Sequence, residues 1–399
     1  MNARNHEALG QPLELPCGVV LKNRLLKSAM SDSLGDGCGN PTNTQIRLYQ
    51  RWANGGAAAL IVGEVQTSPN FAEKPGNLVL HSGSNLTLFE ELAVQGSTDN
   101  TQLWLQLGQA GAMAYPPIST PKGPSAIEIP GLSCAALSRE EVRGIPLEFA
   151  STALMAQKLG FGGVQIHAAH GFLLSQFLSP LFNKRRDEYG GSIDSRMRLL
   201  IEVVNHVRDT VDDHFVVAVK LNATDQLDGG LETRDALEVV SALNDTGIDI
   251  IDISGGTYFP GAKSASDAST NGPYFLDFAK QARKRTDKPL MVTGGFKRLE
   301  QSVNAVAGGD ADLVGLARAL VVDPELPNRW LNNQRANPTF PRFSSPPTGG
   351  VTAWYTMRLT QIGQDRDSED LPSLDATIKL YEDRDKERVY VWNEHFKNR

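Results

Sequence analysis

The chain has 399 residues, 40% of them hydrophobic, and a formal net charge of −7. The acidic balance and the lack of a long basic run argue against nucleic acid and anionic membrane as partners. No apolar run reaches ~18 residues and "MNARNHEALGQPLELP" carries no apolar leader, so a cytoplasmic protein that acts on a small molecule is expected.

Short β-rich runs alternate with helical ones along the chain. Residues 1–24 suggest an N-terminal hairpin that plugs the bottom of a barrel. Strands are predicted at 25–30, 57–64, 101–107, 163–168, 215–222, 248–254, 289–294 and 311–317. The first helix is predicted over 44–54. Ser138 and Glu141 form a capping box for the third helical region, and Met197, Leu200, Ile201, Val204, Val207 and Val211 mark a helical stripe after the fourth strand. Eight strand–helix units imply a parallel sheet closed into a (β/α)8 TIM barrel over residues 1–336. "NPTFPRFSSPPTGG" then opens a C-terminal tail, 337–399, expected to be partly ordered and docked on the barrel or on a neighbouring subunit. A homodimer or higher homo-oligomer is compatible with such a tail.

Three strands alternate in the same way. Leu103, Leu105 and Leu107 share one face of the third strand, and Gln106 lies on the other. Val164 and Ile166 oppose Gln165 and His167 in the fourth. Val217, Val219 and Leu221 oppose Lys220 in the fifth. The uniformly apolar faces should meet helices, which turns Gln106, His167 and Lys220 inward at the C-terminal ends, where barrel enzymes keep their chemistry. A single inward Gln or His is usually a satisfied core group, and a single Lys usually reaches for water. Three at equivalent strand ends point to a shared pocket.

"MVTGGF" and "LVGLARAL" end the seventh and eighth strands. Gly294, Gly295 and Arg318 suit a phosphate there, through close backbone N–H approach and a guanidinium fork. Tight barrel turns account for the glycines equally well. "GDGCGN" (35–40) imitates a dinucleotide fingerprint but has Asn40 where the third glycine belongs, so it is taken as a flexible first βα loop.

"HAAHGFLLSQFLSPLFNKRRDEYGGS" closely resembles the signature of the Old Yellow Enzyme family, FMN-dependent NADH:flavin oxidoreductases and ene-reductases. "LKNRLLKSAM", "LWLQLGQAG", "VAVKLNATDQLDGG", "DISGG", "PLMVTGGF" and "LVGLARAL" extend the similarity across residues 13–330, nearest to the FMN-only, NADH-oxidase-like branch. The resemblance implies non-covalent FMN, with NADH or NADPH as hydride donor and an electron-poor alkene, quinone or other acceptor. It places Ala29, Met30, Ser31, Gln106 and Lys220 around the flavin ring, and Gly294, Gly295, Ala317 and Arg318 at its phosphate. His167 and His170 match the pair that holds a substrate carbonyl oxygen. No third ligand is in view that would make them a metal site.

The chain departs from the family pattern at several positions. Phe172 stands where many members have a proton-donating tyrosine. Gln109 and Ala112 replace a histidine and an arginine, and Ser33 replaces a substrate-holding tyrosine. Tyr258, Tyr115 or water would then supply the proton, with Phe172 and Tyr258 lining the substrate site. Two other readings stay open: a flavin-free phosphate-binding lyase or aldolase with Lys220 as Schiff-base nucleophile, and a flavoprotein without ene-reductase turnover.

Overall fold

The computed structural model describes residues 7–262, 272–334 and 337–397. Eight parallel strands close on themselves: β1 (Leu25–Lys27), β2 (Ala59–Gln66), β3 (Gln102–Gly108), β4 (Gly163–Ala168), β5 (Val216–Asn222), β6 (Ile250–Ser254), β7 (Leu290–Thr293) and β8 (Leu313–Leu316). β8 pairs with β1 and β1 with β2, which completes the TIM barrel. Each predicted strand is present, several shorter by one to three residues at an end. β1 stops at Lys27, so Ala29–Ser31 lie past it, tied to the barrel by a bridge from Ser31 to Gly63.

The helices follow the local signals. Helix α1 (Asn43–Asn54) starts where the Thr42 hydroxyl accepts the Gln45 N–H at 3.3 Å. It is followed by α2 (Leu86–Gly96) and α3 (Arg139–Lys158), which opens on the reciprocal Ser138–Glu141 box. α4 (Arg198–Thr210), α5 (Thr233–Asn244), α6 (Leu276–Ala282), α7 (Leu299–Ala307) and the short α8 (Arg318–Val322) complete the outer ring.

Two apolar layers follow from strand alternation. Leu103, Leu105, Val164, Ile166, Val217 and Val219 pack outward under the helices. Trp104, Val216, Ala218, Ile250, Met291 and Leu313 fill the lower barrel, together with Leu15 and Leu21. Leu15 and Leu21 come from the N-terminal antiparallel hairpin (Leu13–Glu14 with Val20–Leu21), which plugs the barrel as expected; residues 1–6 lie outside the described residues. Above this layer the inward positions turn polar.

The tail forms two helices, α9 (Gly350–Gly363) and α10 (Leu374–Trp392). Arg47 and Arg51 of α1 pair with Asp365 at 2.9 Å and Asp367 at 2.6 Å just past α9. α10 runs over the first βα loops. Arg388 Nη1 donates to Ser33 O at 2.5 Å, and Trp392 is fully buried among Ala72, Val79 and Ile118. This corrects the expectation of a flexible 35–40 loop. Asp36 Oδ1 accepts the N–H groups of Cys38 (2.7 Å) and Asn40 (3.0 Å), Gly35 N–H bonds Gly76 O, and Val391 closes over Gly37.

Candidate active site

The polar layer is one hydrogen-bonded chain. Parallel register sets Gln106 beside Gln165, His167 beside Lys220, and Lys220 beside Asp252. Gln106 Nε2 donates to Gln165 Oε1 at 2.7 Å, and Gln165 Nε2 to Asp252 Oδ2 at 3.0 Å. Lys220 Nζ lies 2.5 Å from the same Asp252 oxygen. Thr293 Oγ1 donates to Asp252 Oδ1 at 2.7 Å and meets Ser28 Oγ at 2.9 Å. The Ser28–Thr293 contact passes over Gly315, where a Cβ would stand 2.2 Å from Thr293 Oγ1. A buried ion pair offsets its desolvation only when other bonds complete it, and Asp252 accepts two besides Lys220, from Gln165 and Thr293. Beyond Asp252 the Lys220 ammonium has no hydrogen-bond partner among the described residues. The sequence placed Gln165 on the inward face without giving it a role and did not single out Asp252, although both alternate with outward isoleucines or valines.

The two histidines converge just above. Their ring centroids are 5.2 Å apart and nearly perpendicular. His167 Nδ1 accepts the Ala169 N–H at 3.2 Å, so the neutral ring carries its hydrogen on Nε2. His170 sits at φ +62°, a left-handed turn anchored by its N–H to Asn222 Oδ1 at 3.0 Å, with Nε2 2.9 Å from Ser254 Oγ. Asn222 is held in turn by Asp225, and Asp225 by Ser179 of the "FLSPLFN" segment. Burial pushes His167 well below the usual imidazole range, with His170 and Lys220 adding to it. Burial, then Lys220, lowers His170 to about 3. Both rings are neutral near pH 7 and serve as hydrogen-bond groups rather than cations.

The Phe172 ring packs 5.0 Å from His167 and 5.7 Å from Tyr258. Tyr258 N–H donates to His170 O at 3.2 Å. Tyr258 thus belongs to this cluster, whereas Tyr115 lies in the apolar cluster under α10 with Lys74 over its ring. Gln109 is absorbed by Thr67 and Glu148, and Ala112 packs with Cys134 and Phe182. Ser33 is buried at φ +52° beneath Arg388.

On the far side, Gly294 (φ +113°) and Gly295 (φ +84°) make a turn at the end of β7 that L side chains rarely adopt. Ala317 precedes α8, and the Arg318 guanidinium stacks 5.7 Å from the Tyr355 ring of α9. All the sequence-predicted site residues therefore sit at or just beyond the C-terminal strand ends. The sequence missed Lys27, fully buried over the Trp52 ring and bonded to Tyr49 and Ile61 O; burial lowers it to about 7 despite Asp32 nearby.

These residues fit a flavin mononucleotide. An ammonium with unused donors suits an electron-rich ring edge, side-chain amides suit a pyrimidine edge, and a positive-φ glycine pair beside an arginine suits a phosphate. The nitrogen that the lyase reading needs as a nucleophile is ion-paired with Asp252. Among the described residues no group of three or more His, Cys, Asp or Glu could hold a metal, and no helix is long and apolar enough to cross a membrane.

Residues 8–337 match the NADH:flavin oxidoreductase / NADH oxidase family. The chain is 36% identical over 354 residues to the NADH-dependent flavin oxidoreductase iliE of Neonectria sp. (strain DH2), covering 80% of this chain and 46% of that protein. It is 33% identical over 369 residues to the protein of the same name from Hypocrea jecorina (strain QM6a), covering 84% and 92%. The chain thus spans less than half of the first relative and nearly all of the second. The solved old yellow enzyme homologue from Zymomonas mobilis has the same fold, with a TM-score of 0.73, 24% identity, and coverage of 87% and 98%. The chain belongs to the NADH:flavin oxidoreductase / NADH oxidase family, the Old Yellow Enzyme family of FMN-dependent NAD(P)H oxidoreductases.

Proposed function

We propose that the chain is an ene-reductase whose acceptor is an α,β-unsaturated carbonyl compound, with quinones as alternative acceptors. Bound at the barrel mouth, FMN would supply the hydride that NADH or NADPH delivers to it. Gln106 and Lys220 would hold the ring edge, Ala29, Met30 and Ser31 its β1 side, and Gly294, Gly295, Ala317 and Arg318 the phosphate. A fixed cation at Lys220 favours the electron-rich form of the ring, and Asp252 keeps that cation in place.

The observation that carries the acceptor assignment is the pair of neutral imidazoles. His167 has an Nε2–H that no described residue takes up, while Ser254 engages Nε2 of His170 and leaves Nδ1 open. Two such groups 5.2 Å apart can bond one carbonyl oxygen and draw electron density from the β-carbon. Phe172 gives the site an apolar wall for the rest of the acceptor. The test is anaerobic: protein loaded with FMN is reduced with NADH or NADPH, then mixed with 2-cyclohexenone or a quinone. Reoxidation with saturated ketone as product supports the assignment; reoxidation by neither acceptor refutes it.

A further inference from the structure

The family match ends at residue 337, so the two tail helices lie outside it. Each nevertheless touches the ground assigned to the flavin. On the phosphate side, the Arg318 guanidinium lies 5.7 Å from the Tyr355 ring of α9, and Tyr355 is 7% exposed. An aromatic face holds a guanidinium without using its N–H donors, so the fork stays open for an incoming phosphate. The Tyr355 ring is itself set, with Trp354 edge-on to it at 5.0 Å. α9 is seated firmly: Leu359 and Ile362 are fully buried, and Arg51 Nη1 donates to Ile362 O at 3.3 Å. Gly363 lies so close to α1 that a Cβ would stand 2.3 Å from Thr44 O.

On the ring side, Arg388 of α10 donates from Nη1 to Ser33 O at 2.5 Å. Ser33 is buried at φ +52°, an uncommon conformation for a serine and one that its surroundings must hold. It stands two residues past Ser31, which bridges to Gly63 of β2. Space at this point is fixed as well: a Cβ on Gly76 would stand 2.4 Å from Ser33 Oγ and 2.9 Å from Arg388 Nη1. Gly35 N–H closes the turn on Gly76 O at 2.9 Å. Arg384 Nη1 of α10 donates to Thr360 Oγ1 of α9 at 3.3 Å, which joins the two helices into one unit. We propose that the tail is a two-point clasp on the cofactor. Tyr355 aims Arg318 at the FMN phosphate, and Arg388 fixes the turn that follows the flavin-lining segment Ala29–Ser31. Both are positioning residues. The inference rests on the assignment of Arg318 to the phosphate and of Ala29–Ser31 to the ring, and is independent of the acceptor.

The test titrates FMN and riboflavin, which has the same ring without the phosphate, into cofactor-free full-length protein and follows flavin fluorescence. Tyr355→Leu should weaken FMN about 10-fold and leave riboflavin unchanged, with recovery in Tyr355→Phe, which keeps the aromatic face. Arg388→Met should weaken both flavins by a common factor of about 10, with partial recovery in Arg388→Lys. Thermal unfolding of the cofactor-free variants checks that each is folded, and Tyr355→Met replaces the leucine variant if that one is not. Equal weakening of both flavins in Tyr355→Leu, or none, overturns the phosphate-side contact. Unchanged affinities in Arg388→Met overturn the ring-side contact. Arg318→Met separates the clasp from the assignment beneath it. Loss of the FMN preference there but not in Tyr355→Leu refutes the phosphate-side clasp alone. A preference that survives Arg318→Met refutes the phosphate assignment, and that half of the clasp with it.

Discussion

Lys220 Nζ lies 2.5 Å from Asp252 Oδ2, with side chains 1% and 0% exposed. The pair joins neighbouring strands β5 and β6 through one register contact. Removing the carboxylate would leave a cation buried and unpaired, which typically costs about 3–5 kcal/mol. Asp252→Asn is expected to lose stability of that order in urea unfolding and to weaken FMN retention. Asp252→Glu should do better on the first measure than on the second, because the longer side chain shifts the ammonium.

The histidine pair should be visible in the pH dependence of stability. Burial holds both rings below their unfolded values, His170 at about 3 against 6.5. Below pH 6.5 the unfolded chain binds protons that the folded chain refuses. Stability from these groups is therefore complete above pH 6.5 and lost as pH falls toward 3, by roughly 1.4 kcal/mol per pH unit per histidine. Replacing His170 with Asn should reduce the acid-side slope by about that amount in thermal or urea titrations.

The same two rings should govern the acceptor. His167→Asn or His170→Asn is expected to slow reoxidation by enones about 10²–10³-fold, the usual cost of one oxyanion donor. Binding of phenolate ligands, read as a long-wavelength charge-transfer band, should weaken in parallel.

A hydroxyl at position 172 would offer a direct proton. Phe172→Tyr should speed enone reoxidation in stopped-flow traces. The Phe172 ring lies 5.0 Å from that of His167, so the new hydroxyl would stand near the histidine pair.

Helix α10 is tied to the rim by a few large contacts. Trp392 is fully buried and Asn393 Nδ2 donates to Pro117 O at 3.0 Å. Trp392→Ala should cost about 3–5 kcal/mol of local stability. Limited proteolysis should then cut within 364–373, a connection left intact in the wild type.

The barrel was legible because its strands are short apolar runs spaced by helical segments, three of them alternating plainly, and because caps such as Ser138–Glu141 are local. The inward trio Gln106, His167 and Lys220 followed from the same period of two. Asp252 escaped notice because it is one of two acids in "IDIIDIS", and it gains meaning only when β5 supplies Lys220 at the paired position. The α10 segment is mostly charged, so only its docking contacts reveal that it covers the 35–40 loop, and that covering also explains why the loop is fixed.

The most direct test of the whole account is a spectrum of the protein after incubation with FMN and desalting. A yellow protein that NADH or NADPH bleaches without oxygen, and that 2-cyclohexenone then turns yellow again, is the expected result. A colourless protein would contradict the site built around Lys220, Gln106 and the histidines.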